Sequence, residues 1–105
     1  MNTAFDQARD HFLQGLAHLQ AGRAADAQAS FLASLALVPG RPSSLMNLAV
    51  ARLALGLHAL AADDLQAALR VEPDSVMAWS YLGEARLAQG RADDALAAFD
   101  QAWAL

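Results

Sequence analysis

Apolar residues recur at helical spacing from the first turns of the chain. Between about Thr3 and Gln20, the residues Phe5, Ala8, Phe12, Leu13, Leu16, Ala17 and Leu19 predict one helix. Gly22 ends it, since glycine enters the left-handed backbone region at little steric cost, and Arg23 begins a tight return. A second helix is predicted from about Ala24 to Val38, packed back antiparallel and closed by Pro39 and Gly40. The same order of signals then returns. Pro42 suits a first helical turn, Ser43 and Ser44 are placed to satisfy free amides there, and Leu45, Leu48, Ala49 and Arg52 lead to a stop at Gly56. A partner helix follows from Leu57 to Val71, with Pro73 as its stop. Asp74 or Ser75 is expected to cap a fifth helix carrying Trp79, Leu82, Gly83 and Arg86 to Gly90. Asp93 and Asp94 fall in the first turn of a sixth, at the positive end of its dipole.

These signals keep one interval. Gly22, Gly56 and Gly90 are 34 residues apart, as are Ala27, Ala61 and Ala95, then Phe31, Leu65 and Phe99, then Ser34, Ala68 and Ala102, and the prolines Pro39 and Pro73. A period of this length, with large and small residues in fixed order, marks stacked helix-turn-helix units, so the predicted class is all-α. Small residues at Gly15, Ala49 and Gly83 let one helix approach its partner at Ala27, Ala61 and Ala95. Trp79, Leu82, Phe31, Leu65 and Phe99 are expected to fill the space between hairpins, with Trp79 buried.

The residues Trp79, Leu82, Gly83, Ala95, Phe99 and Ala102 resemble the tetratricopeptide repeat, as do Leu45, Leu48, Ala49, Ala61, Leu65, Ala68 and Pro73 in the middle copy. Gly15, Ala27, Phe31, Ser34 and Pro39 mark the first copy. The resemblance covers essentially the whole chain. It implies an α-solenoid of three antiparallel helix-turn-helix hairpins, about six helices in a right-handed stack. The expected layout is one domain over 1–105, with repeats at about 8–41, 42–75 and 76–105, the last truncated. The motif is a packing motif, specific for fold and silent on function.

Departures from the pattern carry further expectations. In the first copy the large apolar places of the leading helix hold His11, Gln14 and His18 on one face, which suits an N-terminal cap with a polar outer surface. At the other end the chain stops two residues before the proline that the period would place next. Phe99, Trp103 and Leu105 are then expected to form an open apolar end, covered by a second copy in a homodimer or by more polypeptide.

Composition narrows the chemistry. The 105 residues are 56% hydrophobic, but polar residues interrupt every apolar run well short of a membrane span, and the N-terminus lacks a basic start and an apolar stretch for secretion. A cytoplasmic protein is expected. With no cysteine there is no disulfide, thiolate metal site or thiol nucleophile. The formal charge is −4, and seven scattered arginines with no lysine form no basic stripe, which argues against nucleic-acid partners. His11 and His18 lie two turns apart, about 10.5 Å along one helix, too far to share a metal comfortably. The adjacent carboxylates Asp63 with Asp64 and Asp93 with Asp94 are read as capping and solvated groups. No phosphate loop and no converging nucleophile, base and acid are visible, so no catalytic residue, metal or cofactor is assigned.

What the resemblance adds is a concave surface lined by the leading helix of each hairpin. It would consist of Phe12, Leu13, Leu16, Met46, Asn47, Val50, Met77, Ser80, Tyr81 and Glu84, with Leu13 and Leu16 as candidates for packing against adjacent helices instead. Family members that grip a terminal carboxylate use lysine, arginine and asparagine; only Asn47 falls at a matching place, and Phe12, Leu16, Met77 and Ser80 occupy the others. An apolar helix or segment of a protein partner suits this lining better. The expected function is a non-enzymatic interaction scaffold. The alternatives are the N-terminal module of a larger bacterial enzyme such as a transferase, and a purely structural dimerisation unit.

Overall fold

The computed structural model describes residues 3–105. Six helices follow one another as α1 (Ala4–Gln20), α2 (Ala24–Leu37), α3 (Pro42–Ala54), α4 (His58–Val71), α5 (Val76–Ala88) and α6 (Ala92–Ala104), with no strand among the described residues. Each helix packs on the next, so that three antiparallel hairpins stack into a helical solenoid of 48 × 25 × 18 Å. The expected fold class is therefore the observed one.

The three hairpin turns are built alike. Gly22, Gly56 and Gly90 have φ of 75°, 76° and 76°. Beyond each, an arginine or leucine amide reaches back five residues: Arg23 N donates to the His18 carbonyl at 2.8 Å, Leu57 N to that of Arg52 at 2.8 Å and Arg91 N to that of Arg86 at 2.9 Å. Carbonyls that a helix end leaves free are satisfied this way. At the start of α1, Thr3 and Asp6 exchange side-chain and backbone hydrogen bonds in a capping box. Ser75 caps α5, its hydroxyl accepting from Ala78 N at 3.2 Å. The expectation for α3 needs correction. Pro42 does occupy its first turn, but the cap residue is Arg41 with no side-chain cap bond, and the Ser44 hydroxyl is buried without a partner.

Within the first and third hairpins a glycine faces a ring. A Cβ on Gly15 would lie 2.5 Å from the Phe31 ring, and one on Gly83 would lie 2.5 Å from the Phe99 ring. The middle hairpin solves the same contact with Ala49 and Leu65, both buried. Glycine therefore accompanies phenylalanine, and alanine accompanies leucine. Phe31, Leu48 and Leu65 are the large side chains at the centre of the stack. Ser34 adds a buried tie, its hydroxyl donating to the Ala8 carbonyl at 2.7 Å.

Two sequence expectations about packing change. Trp79 is only half-buried, because its indole N–H reaches out to the Pro73 carbonyl at 2.8 Å at the edge of the α4/α5 seam. Asp64 is not a solvated capping group: it lies in the second turn of α4, buried, with both carboxylate oxygens 3.0 Å from Arg52 Nη1. Arg52 Nε also donates to Gln28 at 3.1 Å, so one guanidinium links α2, α3 and α4. Burial raises the Asp64 carboxyl above its ordinary value of 3.8, against the opposing hydrogen bond and charge of Arg52. Asp93 and Asp94, by contrast, do sit in the first turn of α6.

Candidate functional site

The stack has an inner and an outer side. Residues of α1 approach α3, and residues of α3 approach α5, within 8 Å between Cα atoms, whereas α2, α4 and α6 make no such approach to one another. The leading helices are thus drawn together and the trailing helices splay apart. That is the curvature needed for an inner surface on α1, α3 and α5, the three helices that carry the residues singled out from the sequence.

Those residues differ in how far they are free. Phe12 is half-buried, its ring 5.7 Å from that of Phe31 at 57°, and Leu16 packs beside it on the same core cluster. Met46 and Tyr81 are half-buried against the central cluster around Leu65 and Leu82. Val50 and Ser80 are half-buried, while Leu13, Met77 and Glu84 are exposed, Met77 at 55%. Leu16 thus has the packing role considered for it, and Leu13 does not. Asn47 is occupied locally, its side-chain amide donating to the Ser43 carbonyl at 2.8 Å on its own helix. Leu87, which the sequence reading did not single out, is exposed on α5 one turn beyond Glu84 and two beyond Ser80. The 34-residue period offered the signal, since Leu53 and Leu19 precede it at that interval.

The physical character of this surface is a row of aliphatic, thioether and aromatic groups rooted in the core, with Glu84 its charged member. Rooted side chains present a shaped apolar face at little further cost in rotamer entropy. At the α3 end of the row, Met46 borders a cavity of about 270 Å³ shared with Arg41, Ser43, Glu72 and Ser75. Another hollow of about 400 Å³ opens at the α4/α5 seam beside Trp79, Leu69 and Leu82.

The last helix presents a second apolar surface. Trp103 is 93% exposed, and Leu96 and Leu105 are exposed as well. Phe99 behaves differently from the other two residues expected at this end, being half-buried against Gly83 of its own hairpin. Of the histidines, His18 accepts through Nδ1 from Arg23 Nε at 3.2 Å. Among the described residues no group of three or more His, Cys, Asp or Glu is gathered as a metal site, and no helix is long and apolar enough to cross a membrane.

Comparison with known proteins agrees with this architecture. The sequence pattern described as Tetratricopeptide repeat matches residues 12–70 and again 58–104. Among solved structures, the chain is similar to the Sgt2 TPR domain from Aspergillus fumigatus, with 29% identity and a TM-score of 0.86 over 90% of this chain and 63% of that one. It therefore spans less than two thirds of that relative. It is also similar to the OM64 TPR domain of Arabidopsis, at 22% identity and a TM-score of 0.95, covering 98% of this chain and 85% of the other. The second TPR of Spaghetti (RPAP3), solved bound to the HSP90 peptide SRMEEVD, aligns at 21% identity and a TM-score of 0.90, covering 94% and 92%. No curated protein sequence matches the chain.

Proposed function

The chain belongs to the tetratricopeptide repeat family, and from that premise we propose that it is a non-catalytic scaffold holding an apolar segment of a partner protein against the inner face of α1, α3 and α5. Domains of this family are in general interaction modules and not enzymes. The observation that carries the finer reading is the row Met46, Val50, Met77 and Tyr81, apolar and partly accessible on helices drawn together along one side. The RPAP3 domain binds a peptide ending in acidic and apolar residues. In this chain the Asn47 amide is bonded to its own helix, and Phe12, Leu16 and Met77 supply no cation for a carboxylate. An amphipathic helix with anchors at intervals of three and four residues fits such a row, methionine giving adaptable contact. The repeats at about 8–41, 42–75 and 76–105, and a cytoplasmic setting, belong to the same reading.

The test is a selection of random peptides on the purified chain and on a Met77→Glu variant, which puts the charge at an exposed place on the row. Peptides with Leu, Met or Phe at helical spacing should emerge from the parent and be lost with the variant, whose melt should match the parent's. Enrichment of acidic C-termini, or recovery of the same peptides from the variant, would overturn the assignment.

A further inference from the structure

The middle hairpin turn differs from the other two in charge. In the first turn Arg23 pairs with Asp26 at 3.8 Å, and in the third Arg91 pairs with Asp94 at 2.7 Å, all four side chains being exposed. One period away from each, the middle turn holds Leu57 and Leu60. Leu57 is 37% and Leu60 45% exposed, and Ala54, Leu55 and Ala59 of the same turn are exposed as well. No aspartate, glutamate, arginine or lysine occurs from Leu53 to Ala62. The packing of the stack does not ask for this, since the same places in the first and third copies accept an arginine and an aspartate. Nor is it an effect of a chain end. The middle turn has a repeat on either side, and repeats added at either end of the stack would lengthen the line of turns without reaching its middle member.

Charge says what covers this turn. Because successive hairpins are antiparallel and stacked, their three turns lie at one edge in the order ion pair, leucine pair, ion pair. Such a line is its own complement. A twofold axis passing between Leu57 and Leu60 sets Leu57 against Leu60 of a second copy, and the same rotation brings the first turn against the third. Arg23 then meets Asp94 of the second copy, and Asp26 meets its Arg91. Every cation faces a carboxylate, and leucines close on leucines at the centre. An anionic lipid surface fits less well, because it calls for a cationic rim around an apolar tip, and here each flanking arginine already has an aspartate beside it.

We propose that the line of hairpin turns is an isologous contact between two copies of this chain, with Leu57 and Leu60 at its centre and arginine–aspartate pairs on both flanks. The contact leaves the inner face of α1, α3 and α5 open on each copy and does not depend on what binds there; it makes the scaffold bivalent. Its apolar centre is small, so the dimer is weak and depends on concentration. The charged flanks fix the register more than they add affinity.

The test is the mass of the chain by light scattering from about 1 μM to 1 mM, with Leu57→Arg/Leu60→Asp as the decisive variant. That variant reproduces the pair present in the two neighbouring turns, so it should keep the parent's fold and melt. The parent should pass from monomer to dimer within the range, and the variant should stay a monomer. Arg23→Glu, which sets a like charge against Asp94 of the second copy, should weaken the dimer about tenfold at low salt, and adding Asp94→Arg should restore most of the loss. The chain has no cysteine, so the register can be read by oxidation: Ala21→Cys and Gln89→Cys proteins should cross-link with each other faster than either does with itself. A monomer throughout, or a dimer that survives Leu57→Arg/Leu60→Asp, would overturn the proposal. So would Arg23→Glu without effect at low salt, or Ala21→Cys cross-linking chiefly with itself.

Discussion

The pairing of Gly15 with Phe31 makes a sharp test of why the first hairpin closes. A methyl group on residue 15 would lie 2.5, 2.7 and 2.8 Å from three carbons of the Phe31 ring, about 1 Å inside ordinary contact. Phe31 is fully buried, in a cluster against which Phe12, Leu16, Leu19 and Leu35 pack. Overpacking of this kind costs ~1–3 kcal/mol, and the immobility of the ring places Gly15→Ala near the top of that range. Replacing glycine inside a helix returns about 1 kcal/mol of intrinsic propensity, leaving a net loss of about 2 kcal/mol. Phe31→Leu alone should cost about 1–2 kcal/mol through the gap left opposite a glycine. The double variant reproduces the Ala49 and Leu65 pair of the middle hairpin, and should therefore recover most of the Gly15→Ala loss. Urea unfolding of the four proteins in a double-mutant cycle measures this directly, with an expected favourable coupling of about 2 kcal/mol. Additive losses, with coupling within about 0.5 kcal/mol of zero, would refute the idea that glycine is there for the ring.

Other consequences concern the polar links and Trp79. Arg52→Met removes the partner of a buried carboxylate and should destabilise by about 3 kcal/mol in urea unfolding, while Arg52→Met combined with Asp64→Leu should lie close to the parent. Because burial raises the Asp64 carboxyl above 3.8, the folded chain holds that proton at a pH where the unfolded chain has released it. The Asp64 contribution then falls as pH rises from 3.8 through the raised folded value, so the stability of the parent relative to Asp64→Asn should decline across that window; a parent that gains on the variant with rising pH would show that Arg52 outweighs desolvation. Trp79→Phe should cost about 1 kcal/mol for the lost bond to Pro73, and Trp79→Ala about 2 kcal/mol, less than the ~3–5 of a fully buried tryptophan, with thermal melts as the check.

The architecture was legible because packing between hairpins imposes the same demands every 34 residues. Gly22, Gly56 and Gly90 must turn the chain with positive φ, and Ala27, Ala61 and Ala95 must stay small, so the period shows through unlike surfaces. The bond between Arg52 and Asp64 was not legible. It joins two helices only once, since the places of Asp64 in the other copies hold Ser30 and Ala98, and a repeat search is blind to what does not repeat. Trp79 misled for a related reason: its place in the repeat says apolar and large, while its indole N–H seeks an acceptor and holds it at the rim. The inner-face positions could be located through the resemblance, and Leu87 through the period, but nothing in the sequence stated that Phe12 would be half-consumed by core packing, or that of Leu13 and Leu16 only Leu16 would be. Ligand identity lies outside the reach of either signal, because exposed side chains answer to a partner and not to the stack.

The central claim, that the inner face of the leading helices is the binding surface, is most directly tested by NMR titration of the isotope-labelled chain with a peptide selected on it. Shift changes should cluster on Phe12, Met46, Val50, Met77 and Tyr81, with α2 and α4 unmoved. Changes confined to α2, α4 or α6, with those five residues silent, would contradict it.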